Sequence, residues 1–277
     1  MIVDAHHHLW DPSRREYPWM AGEALAAIRR GYTLDDLRAA APPAVAATVL
    51  VQTVPSLAET GEFLATAAGS GGLIAGVVGW ADLTQLDATL DRLPGGRLVG
   101  LRHQVEDEPD PRWLLRPGVR RGLATLGPRG IVYDLLVRAP QRPAALATAR
   151  ALDEVRFVLD HAGKPAIASG EWQPWASWID EIAECPNVMC KLSGLLTQAR
   201  WDGWDAATIR PYAAHVWDRF GADRVMFGSD WPVCELAARY DEVLTLTEDL
   251  LDGASPDERA AVLGRNATRW YGLNVAA

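Results

Sequence analysis

The chain begins MIVDAHHHLW (residues 1–10), and this stretch decides how the remaining sequence is interpreted. The apolar run at residues 2–5 predicts a buried strand that leads directly into three histidines. Side chains alternate along a strand, so we expect His6 and His8 on one face and His7 on the other. An HxH pair on one strand suits metal ligation, and the apolar strand context argues against an affinity-tag remnant. Asp4 shares the predicted face of the pair, either as its hydrogen-bond partner or as a structural contact.

Short apolar runs recur along the whole chain and indicate a parallel sheet. Most are rich in β-branched residues and lack polar alternation, as expected for strands buried on both faces. The predicted strands are residues 2–5, 48–52, 74–78, 99–102, 131–136, 156–160, 188–191 and 224–228. Helices are predicted between them, with Thr33 and Ser56 as N-caps and Glu59 completing a capping box with Ser56. Further helices are predicted at residues 85–93, 111–126, 142–152, 172–183, 206–220 and 241–251, and from Ser255.

Eight strands that alternate with helices predict a closed α/β fold, the (β/α)8 TIM barrel, as one domain over residues 1–277. An open doubly wound sheet would be expected to carry a glycine-rich phosphate loop after its first strand. This chain has AHHHLW (residues 5–10) at that place. The long connection over residues 10–32 is expected to cross the barrel mouth.

Composition excludes several classes of partner. The chain has a formal net charge of -9 with 49% hydrophobic and 23% charged residues, which is typical of a soluble globular protein. We therefore expect no nucleic-acid partner and no anionic membrane surface as a partner. No apolar run of about 18 residues and no signal peptide is evident, and three sparse cysteines suit a reducing compartment, so a cytoplasmic location is expected.

Polar residues gather at the predicted strand ends. The carboxyl ends of barrel strands meet at one face, and that face carries the active site. The residues at these ends are His6, His7 and His8 on strand one, His103 on strand four, His161 on strand six, Lys191 on strand seven and Asp230 on strand eight. Alternation predicts that Arg102 and Asp160 point away from this face, towards the helices.

Six motifs, in order over nearly the whole chain, resemble the amidohydrolase superfamily. They are DAHHHLWDP (4–12), GLRHQV (100–105), FVLDHAGKP (157–165), MCKLSGL (189–195), RVMFGSDWPV (224–233) and NATRWYGL (266–273). Within the superfamily they are similar to the hydrolases of L-fuconolactone and L-rhamnonolactone. The resemblance implies a TIM barrel that hydrolyses a small sugar lactone, with His6, His8, His161 and Asp230 as metal ligands.

The chain departs from the wider superfamily in two places. The fourth strand ends in His103, where a carbamylated lysine bridging two metals would stand, and the fifth strand has no histidine at its end. We therefore expect at most one divalent metal. Mixed nitrogen and oxygen ligands with an open position favour zinc. Similar lactonases differ in whether they need a metal, so metal-free catalysis stays open.

Lactone hydrolysis requires a base, an oxyanion stabiliser and a proton for the leaving alkoxide. Asp230 is the predicted base, and His103 and Lys191 are predicted to contact the oxyanion or substrate hydroxyls. Each has an alternative: Asp230 as a turn cap, Lys191 as a snorkelling surface lysine and His103 as a core histidine. Trp19 and Trp231 are predicted to stack on the sugar, although tryptophan is also a core filler. The remaining tryptophan-bearing helices leave a homodimer open.

Two other functions fit the same pattern. A metal-dependent decarboxylase of an unsaturated or aromatic acid would grip its carboxylate with arginine, and Arg14 and Arg15 are the candidates near the mouth. A non-enzymatic barrel that keeps its metal site is the other alternative. The sequence does not select one sugar or one lactone ring size.

Overall fold

Eight parallel strands follow one another in chain order around a single sheet in the computed structural model, which describes residues 1–93 and 96–275. The strands are β1 (Ile2–His7), β2 (Val45–Val51), β3 (Ile74–Gly79), β4 (Leu98–His103), β5 (Val132–Leu135), β6 (Phe157–Leu159), β7 (Val188–Leu192) and β8 (Val225–Phe227). The sheet closes between β1 and β8 at their carboxyl ends. There the His8 amide donates to the Trp231 carbonyl over 2.7 Å, and the Asp230 amide donates to the His6 carbonyl over 2.8 Å. The predicted (β/α)8 TIM barrel is confirmed.

Helices surround the strands. They are α1 (Leu34–Ala40), α2 (Leu57–Gly69), α3 (Leu86–Leu90), α4 (Pro117–Ala124), α5 (Leu126–Arg129), α6 (Arg142–Ala151), α7 (Trp175–Ala183), α8 (Leu195–Gln198), α9 (Ala206–Phe220), α10 (Tyr240–Leu250), α11 (Pro256–Ala260) and α12 (Asn266–Tyr271). The long connection before α1 contains two short 3-10 turns, Pro18–Met20 and Glu23–Ile28. None of the described helices is both long enough and apolar enough to cross a membrane.

The helix starts predicted at Thr33, Ser56 and Ser255 are confirmed. Thr33 forms a full capping box with Asp36, and Ser255 forms one with Glu258. Ser56 caps α2 as predicted, accepting from the Glu59 amide over 3.3 Å. The Glu59 carboxylate does not return to Ser56, because it accepts from the backbone of Thr53 and the following residue instead. The capping box predicted for α2 is therefore incomplete.

The core has two layers. Small and β-branched side chains fill most of the barrel interior, among them Val3, Val49 and Val158, and Met189 packs with them. Tyr271 and Leu273 from the C-terminal segment pack against this interior cluster. The larger cluster lies between the strands and the surrounding helices. This packing fills the barrel interior below the histidine-bearing strand ends.

β1 departs from strict alternation between Asp4 and His7, where its register against β2 shifts. Ala5 packs in the barrel interior, and the next residue, His6, also faces inward, as happens at a β-bulge. His7 points away as predicted, with Nε2 2.9 Å from the Thr48 hydroxyl. The irregularity explains why Asp4 does not share the face of His6, although their spacing predicted that it would.

Candidate active site

Four side chains predicted from the sequence meet at the carboxyl ends of β1, β6 and β8. The Oδ1 atom of Asp230 lies 3.5 Å from Nε2 of His8, 3.8 Å from Nε2 of His6 and 3.9 Å from Nε2 of His161. The Nε2 atoms of His6 and His8 are 3.1 Å apart. All four residues are buried. Three imidazoles therefore present the same ring nitrogen to one carboxylate oxygen.

Asp4 fixes the backbone that carries this carboxylate. Its two oxygens accept from the Ser229 amide over 2.8 Å and from the Ser229 hydroxyl over 2.6 Å, and the Tyr240 hydroxyl also donates to it. The following residue, Asp230, has a left-handed backbone with φ of 57°, and its amide is held by the His6 carbonyl. Asp4 is thus a structural contact between the two end strands of the barrel.

Hydrogen bonds on the far side of the rings orient the imidazoles. Nδ1 of His8 lies 2.8 Å from the Val51 carbonyl, which can only accept, so the neutral ring has its lone pair on Nε2. Nδ1 of His161 lies 2.9 Å from the Ser193 hydroxyl. Partners of this kind on the second ring nitrogen are usual for metal-binding histidines. They leave Nε2 of both rings directed at Asp230.

The electrostatics of the cluster favour neutral rings. Burial lowers the pKa of His8 to about 3 and that of His161 to about 4, and it lowers the pKa of His6 well below 6.5. Burial also raises the pKa of Asp230 above its ordinary value, although His161 and nearby cations draw it back. Neutral imidazole nitrogens with one carboxylate are a donor set that zinc favours. The residues present therefore fit a single divalent ion.

Lys191 lies beneath the cluster and not at the cavity. Its Nζ is 2.5 Å from Oδ2 of Asp134, 3.0 Å from Oδ1 of Asp160 and 3.1 Å from Nδ1 of His6. The Tyr271 hydroxyl donates to the same Asp134 carboxylate over 2.8 Å. The side chain of Lys191 is 0% exposed, which rules out a snorkelling surface lysine. Lys191 supports His6 from below, and the structure does not bring it to the substrate side.

Arg102 and Asp160 face the barrel interior, so the prediction that they point to the helices is wrong. Arg102 donates to Oδ2 of Asp160 over 2.9 Å and to the Gln52 side chain over 3.1 Å. The residues just before Arg102 are apolar, so no alternation of polar and apolar side chains indicates which face of the strand Arg102 occupies. Leu101 packs on the helix side. β6 ends at Leu159, so strand alternation does not extend to Asp160.

His103 lies outside the cluster. Its ring stacks on Trp113 with centroids 4.2 Å apart and planes 5° apart. The Trp80 indole donates to its Nδ1 over 3.0 Å, so Nε2 carries the hydrogen that points at Glu108, 2.8 Å away. These contacts match the alternative of a hydrogen-bonded packing histidine, and the structure does not bring His103 to the cavity of Asp230.

The two predicted sugar-stacking tryptophans differ in position. Trp19 lines the same cavity as His8. Trp231 is 1% exposed, packs against Tyr32 and donates to Glu235 over 2.8 Å, so it is not positioned to contact a sugar. Trp201 also lines the cavity.

The cluster opens into a cavity of about 450 Å³ with a mixed polar and apolar wall. His8, His161 and Asp230 lie in this wall. Sequence reasoning missed five of its charged members, Arg102, Glu106, Asp107, Arg138 and Lys164. Apart from Arg102, these stand beyond the strand ends, where periodicity does not give a side-chain direction. The one sequence signal for Lys164 was the rarity of lysine, because Lys164 and Lys191 are the two lysines of the chain.

The chain belongs to the amidohydrolase family, whose model matches residues 3–273. Among characterised relatives it is 39% identical to the L-fucono-1,5-lactonase of Burkholderia multivorans, over 98% of this chain and 96% of that protein. It is 37% identical to the L-fucono-1,5-lactonase of Burkholderia ambifaria, with the same coverage. A crystal structure of a Burkholderia multivorans amidohydrolase with bound Zn is 38% identical, covers 99% of this chain and 100% of its own, and superimposes with a TM-score of 0.92.

Proposed function

We propose that this protein hydrolyses a sugar-acid lactone, such as L-fuconolactone or L-rhamnonolactone, to the free acid. The observation that carries the proposal is the convergence of three neutral imidazoles on Asp230 at the wall of an open cavity. Similarity to two L-fucono-1,5-lactonases over nearly the full length supports the substrate class. The cavity volume of about 450 Å³ accommodates a single sugar ring with its hydroxyls.

Asp230 is the base in this mechanism. Its raised pKa makes the carboxylate a better proton acceptor than an exposed aspartate, and it lies at the cavity wall where water has access. Asp230 takes a proton from the attacking water and returns it to the alkoxide that leaves when the ring opens. The carboxylic acid product then ionises, so protons balance over the cycle. Trp19 provides an apolar surface for the C–H face of the sugar.

The proposed cofactor is one divalent ion, with zinc as the candidate. His6, His8, His161 and Asp230 would hold it, and when bound it would lower the pKa of water to about 7 and polarise the lactone carbonyl. The Val51 carbonyl and the Ser193 hydroxyl keep the rings of His8 and His161 in orientation. A lactone is a reactive ester, so Asp230 acting with the histidines alone is the alternative.

A lactone panel assayed with and without a chelator tests substrate class and metal requirement together. We expect acid release from 1,5- or 1,4-lactones of deoxy sugars, loss after dialysis against chelator and recovery with added zinc. Full activity in the metal-stripped protein would support the metal-free alternative. No turnover of any sugar lactone by zinc-loaded protein would end the proposal.

The decarboxylase alternative receives no support from the arginines first considered for it. Arg14 and Arg15 both contact Glu62 on the outside of the long connection, at 3.8 Å and 3.2 Å. Arg102, the cavity cation nearest the barrel interior, is paired with Asp160. Aromatic acids therefore serve in the assay panel as compounds expected to be left unchanged.

The proposed partner is the small-molecule lactone alone. A homodimer and a cytoplasmic location stay predictions from the sequence. Trp172 is the one exposed tryptophan among the described residues, at 37%, so few tryptophan-bearing helices offer an apolar surface. Gel filtration with light scattering checks the oligomeric state.

A further inference from the structure

The turn after β6 has an unusual backbone. Four consecutive residues have positive φ: His161 at 54°, Ala162 at 51°, Gly163 at 68° and Lys164 at 52°. Only glycine adopts this left-handed region readily, and L-residues visit it as single positions and not as runs. Strained backbone of this kind clusters at functional sites, where the surrounding structure holds it in place.

The surrounding structure does hold this turn. The Trp175 indole donates to the Ala162 carbonyl over 2.7 Å. Arg142 donates to the Gly163 and Lys164 carbonyls, each over 2.9 Å. The Lys164 amide donates to the His161 carbonyl over 2.8 Å. With all four carbonyls bonded, the turn is a fixed platform that directs the side chains of both His161 and Lys164 into one cavity.

Glu106 fixes the other end of the Lys164 side chain. The ammonium lies 2.7 Å from Oε1 and 2.6 Å from Oε2 of Glu106, and Arg138 reaches the same carboxylate at 2.9 Å. The Lys164 side chain is 12% exposed, which is low for a lysine in a turn. An ammonium has three N–H groups, so two are directed at Glu106 and one is left for the cavity.

The charges around Lys164 indicate what kind of group its remaining N–H would contact. One carboxylate, Glu106, forms ion pairs with two cations, Lys164 and Arg138, so these three groups carry one net positive charge. Asp107 lies in the same wall, where both cations counter the burial that raises its pKa, but among the described residues it forms no ion pair with either cation. Lys164 is also close enough to the cluster to lower the pKa of Asp230, after His161. Lactone hydrolysis creates one negative charge, first on the acyl oxygen and then on the product carboxylate.

We propose that Lys164 contacts the acyl oxygen of the lactone, donating its free N–H to the oxyanion and afterwards to the carboxylate of the sugar acid. The inference rests on the proposed function and deepens it. Lys164 donates a hydrogen bond in this step and transfers no proton. Glu106 and Arg142 are positioning residues, which act through Lys164 and through the turn that carries it. The role that the sequence suggested for Lys191 thus moves to the other lysine.

Kinetics of Lys164→Gln test the contact. We expect kcat on the preferred lactone to fall about 100-fold, the loss typical of removing one oxyanion donor, with KM changed far less. Lys164→Arg keeps the charge and is expected to recover part of kcat. Arg129→Gln removes an exposed cation that pairs with Asp87 on the outer surface and is expected to match the wild type. Melting temperatures show whether each variant is folded.

Amine labelling gives a readout independent of turnover. Lys191 is fully buried, so reductive methylation of the native protein should reach Lys164 and the amino group of Met1, which is 60% exposed. Free L-fuconate, the sugar acid, should slow methylation of Lys164 and leave that of Met1 unchanged, as peptide mass spectrometry would show. A structural lysine that does not contact the ligand would show no such protection.

The outcomes separate the two proposals. If the wild type opens lactones but Lys164→Gln retains kcat within about threefold, or the sugar acid fails to protect Lys164, this inference is overturned and the lactonase proposal stands. If the wild type opens no lactone, both are overturned. If Lys164→Gln does not fold, Lys164→Arg and the labelling decide.

Discussion

Asp4 and Ser229 join the two end strands of the barrel through a pair of hydrogen bonds, one from the Ser229 amide and one from its hydroxyl. The contact lies one residue before Asp230 and therefore fixes the backbone from which the Asp230 carboxylate extends. The side chain of Asp230 itself takes no part in this contact. Changes at the Asp230 carboxylate are thus separable from changes to the fold.

Asp230→Asn should remove most of the activity and leave the fold intact. Loss of a general base typically costs a factor of about 10²–10⁴ in rate. The variant keeps the backbone bond to the His6 carbonyl, and asparagine tolerates the positive φ of this position better than most residues. Steady-state kinetics and thermal unfolding are the measurements, with Asp252→Asn on the exposed surface as the matched control. Retention of more than a tenth of wild-type kcat would show that another group is the base.

Gly194→Ala should damage the site through His161. An added Cβ would lie 2.5 Å from Nδ1 of His161, which forces the ring to move. Gly170 has a similar φ, 70° against 62°, and a Cβ there meets nothing within 4 Å. Both alanine variants should lose about 1–2 kcal/mol of stability from backbone strain. Only Gly194→Ala should also lose activity, by roughly 100-fold, since small misplacements of this kind have such effects. Equal kcat in the two variants would contradict the positioning of His161 by this turn.

Lys191→Met should destabilise the folded protein. The substitution leaves the buried carboxylates of Asp134 and Asp160 without their ammonium partner, and breaking a buried pair in this way costs about 3–5 kcal/mol. Urea denaturation gives the free energy of unfolding for the variant and the wild type. Adding Asp134→Asn to Lys191→Met should recover part of the loss, because one unpaired charge is removed. A single variant as stable as the wild type would mean that the buried network contributes no net stability.

Glu106→Gln should change the pH dependence of stability. Burial raises the pKa of Glu106, but Lys164 and Arg138 together outweigh it and hold the pKa below the ordinary 4.5. The folded protein therefore keeps this carboxylate ionised more readily than the unfolded chain does. Its stabilisation is complete above about pH 4.5 and is lost as pH falls through the folded pKa. We expect Glu106→Gln to lower the free energy of unfolding by about 1–3 kcal/mol at pH 7. The difference from wild type should shrink below pH 4.5, and a constant difference from pH 7 to pH 3 would refute the ion pair.

The parts of the fold that follow from backbone periodicity were predictable. Buried parallel strands read as continuous apolar runs, and capping residues such as Thr33 and Ser255 mark helix starts by their own hydrogen bonds. The HxH spacing also gave the directions of His6 and His8 correctly. It gave that of Asp4 incorrectly, because a register shift in β1 is a tertiary feature that spacing does not encode.

The rest of the site depends on groups whose direction no local pattern sets. Arg102 follows a run that is apolar at every position, so the sequence does not indicate on which face of β4 its side chain lies. Asp160 and Lys164 lie beyond the end of β6. Lys164 stands in a left-handed turn whose geometry is fixed by Arg142 and Trp175 from other elements. Such side chains can be placed only after the helices that hold the turn are in position.

The seam between β1 and β8 has a consequence for biosynthesis. His6 and His8 precede Asp230, and the carbonyl of Trp231 that receives the His8 amide, by more than 220 residues in the chain. During synthesis the two imidazoles are therefore made long before the carboxylate that lies against them. We expect these groups to meet only when β8 joins β1, so a protein truncated before β8 should show no lactonase activity.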